Sequence, residues 1–113
     1  MLPRRLPKPK RRETVIRSPS HLRFVRSHQC CVPLLTWGTC LGTPVEAAHI
    51  RRGTDGGVGI KPGDNWTISL CQTHHQIQHA RGEADFDRVY QIDSRKLAEE
   101  FWQASPARKR RAA

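Results

Sequence analysis

The most constraining feature of this 113-residue sequence is SLCQTHHQIQH at residues 69–79, which holds one cysteine and three histidines. Thiolate and imidazole groups are the ligands that zinc and related metals prefer in proteins. A short, polar chain can depend on such a site for its folding free energy, because it buries only a small apolar core. The segment therefore predicts a structural metal site, a catalytic one, or both.

Composition restricts the class of protein to a small domain. Only 36% of the residues are hydrophobic, no apolar run reaches the roughly 18–20 residues of a membrane span, and the N-terminus MLPRRLPKPKRRE lacks the apolar segment of a secretory signal. We therefore expect one cytoplasmic domain without membrane association. In that compartment its four cysteines are metal ligands rather than disulfide partners.

Positive charge is concentrated at the two ends of the chain. The formal net charge is +10, residues 1–26 hold nine Lys/Arg against one acidic residue, and residues 106–113 add four more. Such segments suit a polyanionic partner, because each neutralised phosphate releases counterions; the alternative is a solvated tail without a partner. We favour DNA, bound by a disordered basic arm (1–17) and a basic tail (106–113) around a folded domain (18–105).

The pattern between these ends predicts an α+β domain. SPSHLRFVRSH favours an N-terminal helix, VEAAHI a short strand ending at His49, and NWTISL a second strand. The intervening RRGTDGGVGIKPGD has too many glycines for regular structure and predicts a loop. The chain turns helical from Cys71, RGE ends or bends that helix, and a C-terminal helix follows from about Ser94. The order defines a ββα unit, a two-stranded hairpin with a long loop and then a helix, flanked by two further helices.

Four side chains can form a structural zinc site. Cys71 and His74 have the C-x2-H spacing of half a zinc knuckle, and Cys30 and Cys40 bracket a turn-rich segment that can supply the other half. A Cys3His tetrahedron suits Zn²⁺ and would fix the N-terminal segment to the helix. Cys31 competes with Cys30; we prefer Cys30 and expect Cys31 to be a small buried residue. In the alternative interpretation all are ordinary buried thiols.

A second metal site is predicted on the same helix. His75 and His79 are four residues apart on one helix face, so both imidazoles can bind one ion. His74 points about 100° away from His75, which allows the two to serve different metals. His49 on the preceding strand would face the ion and take a proton from water near a bound phosphate. In the alternative interpretation, the helical histidines lie on the surface without a ligand, and His49 is an ordinary core histidine.

Taken together, these residues resemble the HNH endonuclease superfamily, whose ββα-metal finger has this layout. EAAHIRRGTDGGVGIKPGDNWTISLCQTHHQIQH is similar in particular to the small HNH proteins of phages and prophages, and the similarity covers residues 18–105. The resemblance implies that His49 is the general base and that Lys61 lies near phosphate. It implies that His75 and His79 bind the catalytic divalent cation, which could be Mg²⁺, Mn²⁺, Ni²⁺ or Zn²⁺. It also implies a structural zinc on Cys30, Cys40, Cys71 and His74.

The sequence departs from this family at two positions. Many members have a further His or Asp ligand directly before the base, where this chain has Ala48, so the ion would rest on two imidazoles, water and substrate oxygens. The central Asn of the family is out of register, with Trp66 in its place. Either Asn65 or Asp64 could instead orient His49 through a side-chain hydrogen bond.

The glycine-rich loop also predicts phosphate contacts. Its glycines allow the backbone to approach a phosphate closely, and Arg51, Arg52 and Lys61 supply positive charge. The alternative is a plain flexible connection. A loop of this length in so small a domain favours a function.

Three functions remain open at this point. The first is a metal-dependent DNA endonuclease that uses one ion and in-line displacement. The second is a non-catalytic zinc-finger-like DNA-binding module, in which Cys30 and Cys40 pair with His75 and His79. The third is a degenerate nuclease fold acting as a recombination accessory, which Ala48 favours. The nuclease is preferred because one tetrahedral zinc uses four ligands and this chain offers seven candidates.

Overall fold

The architecture is given by a computed structural model, which describes residues 2–6, 15–32, 40, 44–57 and 59–112. Within these ranges the chain forms two strands and five helices. Their order is α1 (Pro19–Arg26), β1 (Val45–His49), β2 (Thr67–Cys71), α2 (Gln72–Arg81), α3 (Glu83–Tyr90), α4 (Ser94–Ala104) and α5 (Pro106–Ala112).

The two strands form an antiparallel hairpin whose register places Val45 opposite Cys71 and His49 opposite Thr67. Cys31, which follows α1, donates its backbone N–H to the carbonyl of Ser69 at 2.8 Å. The hairpin is therefore the frame to which the N-terminal segment and α2 are both attached. His49 lies at its end, directly before the glycine-rich loop.

Helix ends explain how the site-bearing elements are positioned. Pro19 occupies the first turn of α1, and the Ser18 side chain caps it by accepting from the N–H of His21. Cys71 is both the last residue of β2 and the N-cap of α2, where its sulfur accepts from the N–H of His74. Gly82, with φ of 87°, ends α2 and directly precedes α3, a backbone conformation that favours glycine.

The core lies on one face of the hairpin. Ala48 and Ile50 from β1 and its end, and Ile68 and Leu70 from β2, pack with side chains contributed by α3 and α4. Because alternate residues of a strand point to opposite faces, this arrangement fixes which hairpin side chains face α2 to α4. The remaining members of the buried cluster are Val32, Phe86 and Ala98.

The predicted α+β class is confirmed: an antiparallel hairpin with helices before and after it. α1 begins where the serine and proline predict, β1 ends at His49 as predicted, and α4 begins at Ser94. The stretch predicted as a loop contains an isolated bridge between Gly57 and Ile60. Helices α3 and α5 were not predicted.

Both predicted ends of the chain carry structure next to the domain. Residues 106–112, in the segment predicted as a basic tail, form α5, with Ala107 buried and α5 packed on α1. Ile16 and Arg17, placed in the disordered arm by the sequence, hydrogen-bond to the glycine-rich loop. Residues 7–14 of that arm lie outside the described residues. None of the helices in the described ranges has the length and apolarity needed to cross a membrane.

Candidate metal centre and active site

Four potential metal ligands come together where β2 meets α2. Their ligand atoms all lie within 4.8 Å of one another. His74 Nδ1 is 3.1 Å from the sulfur of Cys71 and 3.6 Å from the sulfurs of Cys30 and Cys40. A zinc ion with bonds of about 2.3 Å to sulfur and about 2.05 Å to nitrogen holds these atoms about 3.6 Å apart at the tetrahedral angle. The cluster is therefore close enough to bind a metal ion and its spacing is compatible with zinc.

Two of the four potential ligands are buried. Cys71 and His74 are almost fully buried, and the ring of Tyr90 packs edge-on against His74 at 5.3 Å. Burial first, and then the neighbouring thiols of Cys30 and Cys71, raise the pKa of Cys40 to about 12. The position of these side chains is compatible with a bound metal ion, which would stabilise the thiolate form of the cysteines.

Cys31 lies outside the cluster. Its sulfur is 3.3 Å from Ser69 Oγ, and burial raises the pKa of its thiol. Of the two cysteines that the sequence left in competition, Cys30 is the one that lies in the cluster, as preferred. The structure also groups Cys30 and Cys40 with Cys71 and His74, not with the histidines of the alternative zinc-finger pairing.

The second histidine pair is arranged on the exposed side of α2. His75 Nε2 and His79 Nε2 are 3.2 Å apart, close to the roughly 3.3–3.4 Å between two imidazole nitrogens on one tetrahedral zinc. Glu46 Oε1 lies 3.0 Å from His75 Nδ1 and can accept its hydrogen, which leaves the Nε2 lone pair directed at His79. Among the described residues no cysteine, histidine or carboxylate completes a three-ligand group with the two Nε2 atoms, since the Glu46 carboxylate contacts Nδ1 of His75. Ala48, at the position of the further ligand, is buried in the core.

His49 is oriented by Asp64 and not by Asn65. His49 Nε2 is 2.9 Å from Asp64 Oδ1, and Asp64 Oδ2 accepts the backbone N–H of Ser18 at 2.8 Å. Within the described structure the buried Oδ1 atom of Asn65 has no hydrogen-bond partner. Of the two candidates that the sequence left open, Asp64 is therefore the one in contact with His49.

The charges around this pair favour a neutral imidazole beside an ionised carboxylate. Burial lowers the pKa of His49, and the nearby cations Lys61 and Arg17 lower it further against the opposing effect of Asp64. Burial alone would raise the pKa of Asp64, but His49, the Ser18 amide and Arg17 together hold it below its usual value. Asp64 can then accept the Nε2 hydrogen, which leaves Nδ1 of His49 free to take a proton.

One cavity of about 460 Å³ connects His49 with α2. It is lined by His49, His79, Arg51 and Arg52, among others. Strand alternation puts His49 on the face of β1 opposite to Glu46, and its side chain contacts Asp64. Of the two histidines that His49 was predicted to face, His79 lines the same cavity. The backbone carbonyl of Lys61 accepts from the guanidinium of Arg17, which also lies 3.6 Å from Asp64.

Three residues of the site were missed by the sequence analysis. Glu46 could have been found, because it lies two positions before Ala48 on the same strand face. Glu83 accepts the backbone N–H groups of Arg51 and Arg52, both at 2.9 Å, and Arg17 lies 3.6 Å from Asp64. These last two contacts join segments far apart in sequence, and no local pattern predicts them.

Comparison with known proteins gives a family for this chain. Residues 4–103 match the model of a family described as protein of unknown function (DUF968). The chain belongs to the DUF968 family. No curated protein matches it, and no solved structure does. The DUF968 match contains every candidate ligand together with His49 and Asp64, whereas α5 lies beyond its end.

Proposed function

We propose that this DUF968 protein is a metal-dependent DNA endonuclease that hydrolyses phosphodiester bonds with His49 as its general base. The observation that carries the proposal is the buried Asp64 carboxylate 2.9 Å from His49 Nε2, at a cavity that His79 also lines. A base held by a carboxylate, in a cavity shared with one of two histidines suited to a cation, is an arrangement for activating water. The resemblance to HNH nucleases supports the same conclusion.

In this proposal each side chain has a separate task. Asp64 fixes the ring of His49 through Nε2, and Nδ1 removes a proton from the attacking water. His75 and His79 would hold the divalent cation, with Glu46 orienting His75. When bound, that cation supplies Lewis-acid stabilisation for the phosphate and for the leaving 3′-oxygen.

We further propose that Cys30, Cys40, Cys71 and His74 hold a structural Zn²⁺. Binding would join the segment after α1 to the start of α2 and contribute directly to folding. DNA is the proposed partner because Arg51 and Arg52 line the cavity and the net charge is +10. Positive side chains of this kind bind the phosphate backbone without reading sequence.

Nicking of supercoiled plasmid tests the nuclease directly. Wild-type protein should convert it to open-circular DNA in at least one of Mg²⁺, Mn²⁺, Ni²⁺ or Zn²⁺. His49→Ala should lower the rate roughly 10²–10⁴-fold, the usual contribution of a general base. Asp64→Asn should also lower the rate, because an amide does not hold the imidazole in the tautomer with its hydrogen on Nε2 as a carboxylate does. His28→Ala, a histidine exposed at the end of α1, is the matched control and should retain activity. Zinc content should be equal in all four proteins.

A non-catalytic DNA-binding module is the second candidate. It is favoured by the buried Ala48 at the position of the missing ligand and by the absence of a third ligand for His75 and His79 in the described residues. A wild-type protein that binds DNA but leaves plasmid intact in all four ions would establish this candidate and exclude the nuclease.

A further inference from the structure

We infer that Arg17 and the backbone on either side of it position the general base, by holding Asp64 against His49 from the N-terminal segment. The inference rests on the proposed function and deepens it. It assigns a structural role to a residue that the sequence placed in a basic arm. It also predicts that Arg17 acts on the chemical step and not on DNA binding.

The first observation is that residues 16–18 surround Asp64. The backbone N–H of Asp64 donates to the carbonyl of Ile16 at 2.8 Å, and the N–H of Ser18 donates to Asp64 Oδ2 at 2.8 Å. Arg17 Nη1 lies 3.6 Å from Oδ1, the oxygen that also contacts His49. Residues 16–18 therefore accept the Asp64 N–H, hydrogen-bond its Oδ2 and form an ion pair at its Oδ1, although they lie 46 or more positions away in the chain.

The second observation is that Arg17 also fixes the loop before Asp64. Its guanidinium donates to the carbonyl of Lys61 at 2.8 Å and to that of Pro62. The backbone carbonyl of Arg17 in turn accepts from Arg111 Nη2 of α5 at 3.1 Å. These backbone carbonyls are fixed acceptors that suit the planar guanidinium group. The fold therefore holds the Arg17 side chain in place.

The third observation is electrostatic. The charged groups that shift the pKa of His49 are Asp64, Lys61 and Arg17, and the titratable or charged side chains that line the same cavity are Arg51, Arg52, His79 and Glu83. Arg17 favours the ionised carboxylate and disfavours the imidazolium, so its removal should raise the pKa of His49. The acid limb of the nicking rate, which reports protonation of the base, should then move to higher pH.

The experiment compares Arg17→Ala and Arg17→Lys with Arg88→Ala. Arg88 is an exposed arginine that pairs with Asp85 on its own helix, α3, so it matches the loss of charge outside the site. Arg17→Ala should lower kcat about tenfold, as loss of a residue that orients a functional side chain commonly does. The KM for plasmid DNA should be unchanged, and the acid limb should shift to higher pH. Arg17→Lys should restore the pH profile, because it restores the charge, but only part of kcat. Arg88→Ala should match wild type.

Two results would overturn the inference. One is an Arg17→Ala protein with wild-type kcat and pH profile. The other is an increase of KM alone, which would make Arg17 a DNA contact. Titration of the His49 ring by ¹⁵N NMR gives a readout without catalysis: its pKa should rise in Arg17→Ala and stay at the wild-type value in Arg88→Ala. If wild-type protein does not nick DNA, the proposed function fails, but this titration still decides whether Arg17 acts on His49. If the pKa of His49 is the same in Arg17→Ala as in wild type, the inference about Arg17 is rejected.

Discussion

At the scale of single residues, the hydrogen bonds of two carboxylates decide what the histidines can do. Asp64 contacts Nε2 of His49, and Glu46 contacts Nδ1 of His75, so each imidazole keeps its other nitrogen for chemistry or a ligand. The sequence could not choose Asp64 over Asn65, because adjacent loop residues have no fixed periodicity. The choice is made by Ser18 and Arg17, which come from a distant segment.

Glu46 should raise the affinity of the His75 and His79 pair for a cation. Glu46→Ala should weaken binding of Co²⁺ or Ni²⁺ about 10- to 100-fold. This is the usual effect of losing the carboxylate that hydrogen-bonds the non-ligating nitrogen of a metal-binding histidine. The measurement is a titration of zinc-loaded protein followed by visible absorbance. Glu100→Ala, an exposed acid on α4, is the matched control. Equal affinities in the two variants would contradict a role for Glu46.

At the scale of elements, the junction of β2 and α2 carries most of the site. Cys71 ends the strand, caps the helix and contributes a sulfur to the cluster. This junction and the hairpin were predictable, since the C-x2-H spacing and the strand patterns are local signals. α3 was not predictable in the same way: its sequence EADFDRVY is short and acidic, and it is held by Phe86, which is fully buried in the core.

Loss of the cluster should unfold the domain. Cys71→Ser should lower the melting temperature and abolish stoichiometric zinc, because a structural zinc site contributes folding free energy well beyond the roughly 1 kcal/mol of a helix cap. Cys31→Ser is the matched control, since that sulfur contacts Ser69 and lies outside the cluster. Thermal denaturation with metal analysis checks both. If both variants kept one zinc and a wild-type melting temperature, the cluster would not be the structural site.

At the scale of the whole molecule, α5 contacts the N-terminal segment 16–18, which in turn contacts the residue that orients His49. The N-terminal segment binds the loop that carries Asp64, and α5 binds that segment through Arg111. The sequence identified both ends only by charge, because the contacts that order them join residues far apart in the chain. α5 has a single well-buried side chain, Ala107, among its described side chains, so it carries no helical apolar stripe that a pattern could detect.

The two ends should therefore respond differently to deletion. Removing residues 1–12 takes away six Lys/Arg and should flatten the dependence of log K on log salt by up to about 5, with kcat retained because Ile16 to Ser18 remain. Removing residues 106–113 should flatten the salt dependence as well. In addition, this deletion should lower the melting temperature, since α5 packs on α1. Fluorescence anisotropy of labelled DNA at several salt concentrations, with thermal denaturation, measures both effects. An unchanged salt slope in both deletions would contradict DNA binding by the ends.

His74 and His75 are neighbours on the first turns of α2, one turned to the sulfur cluster and the other to the imidazole pair. A zinc ion at the proposed sulfur site would hold His74 in place and with it the rotation of α2 about its own axis. Under the proposed function, filling of this buried site would therefore also bring His75 and His79 into register for a second cation.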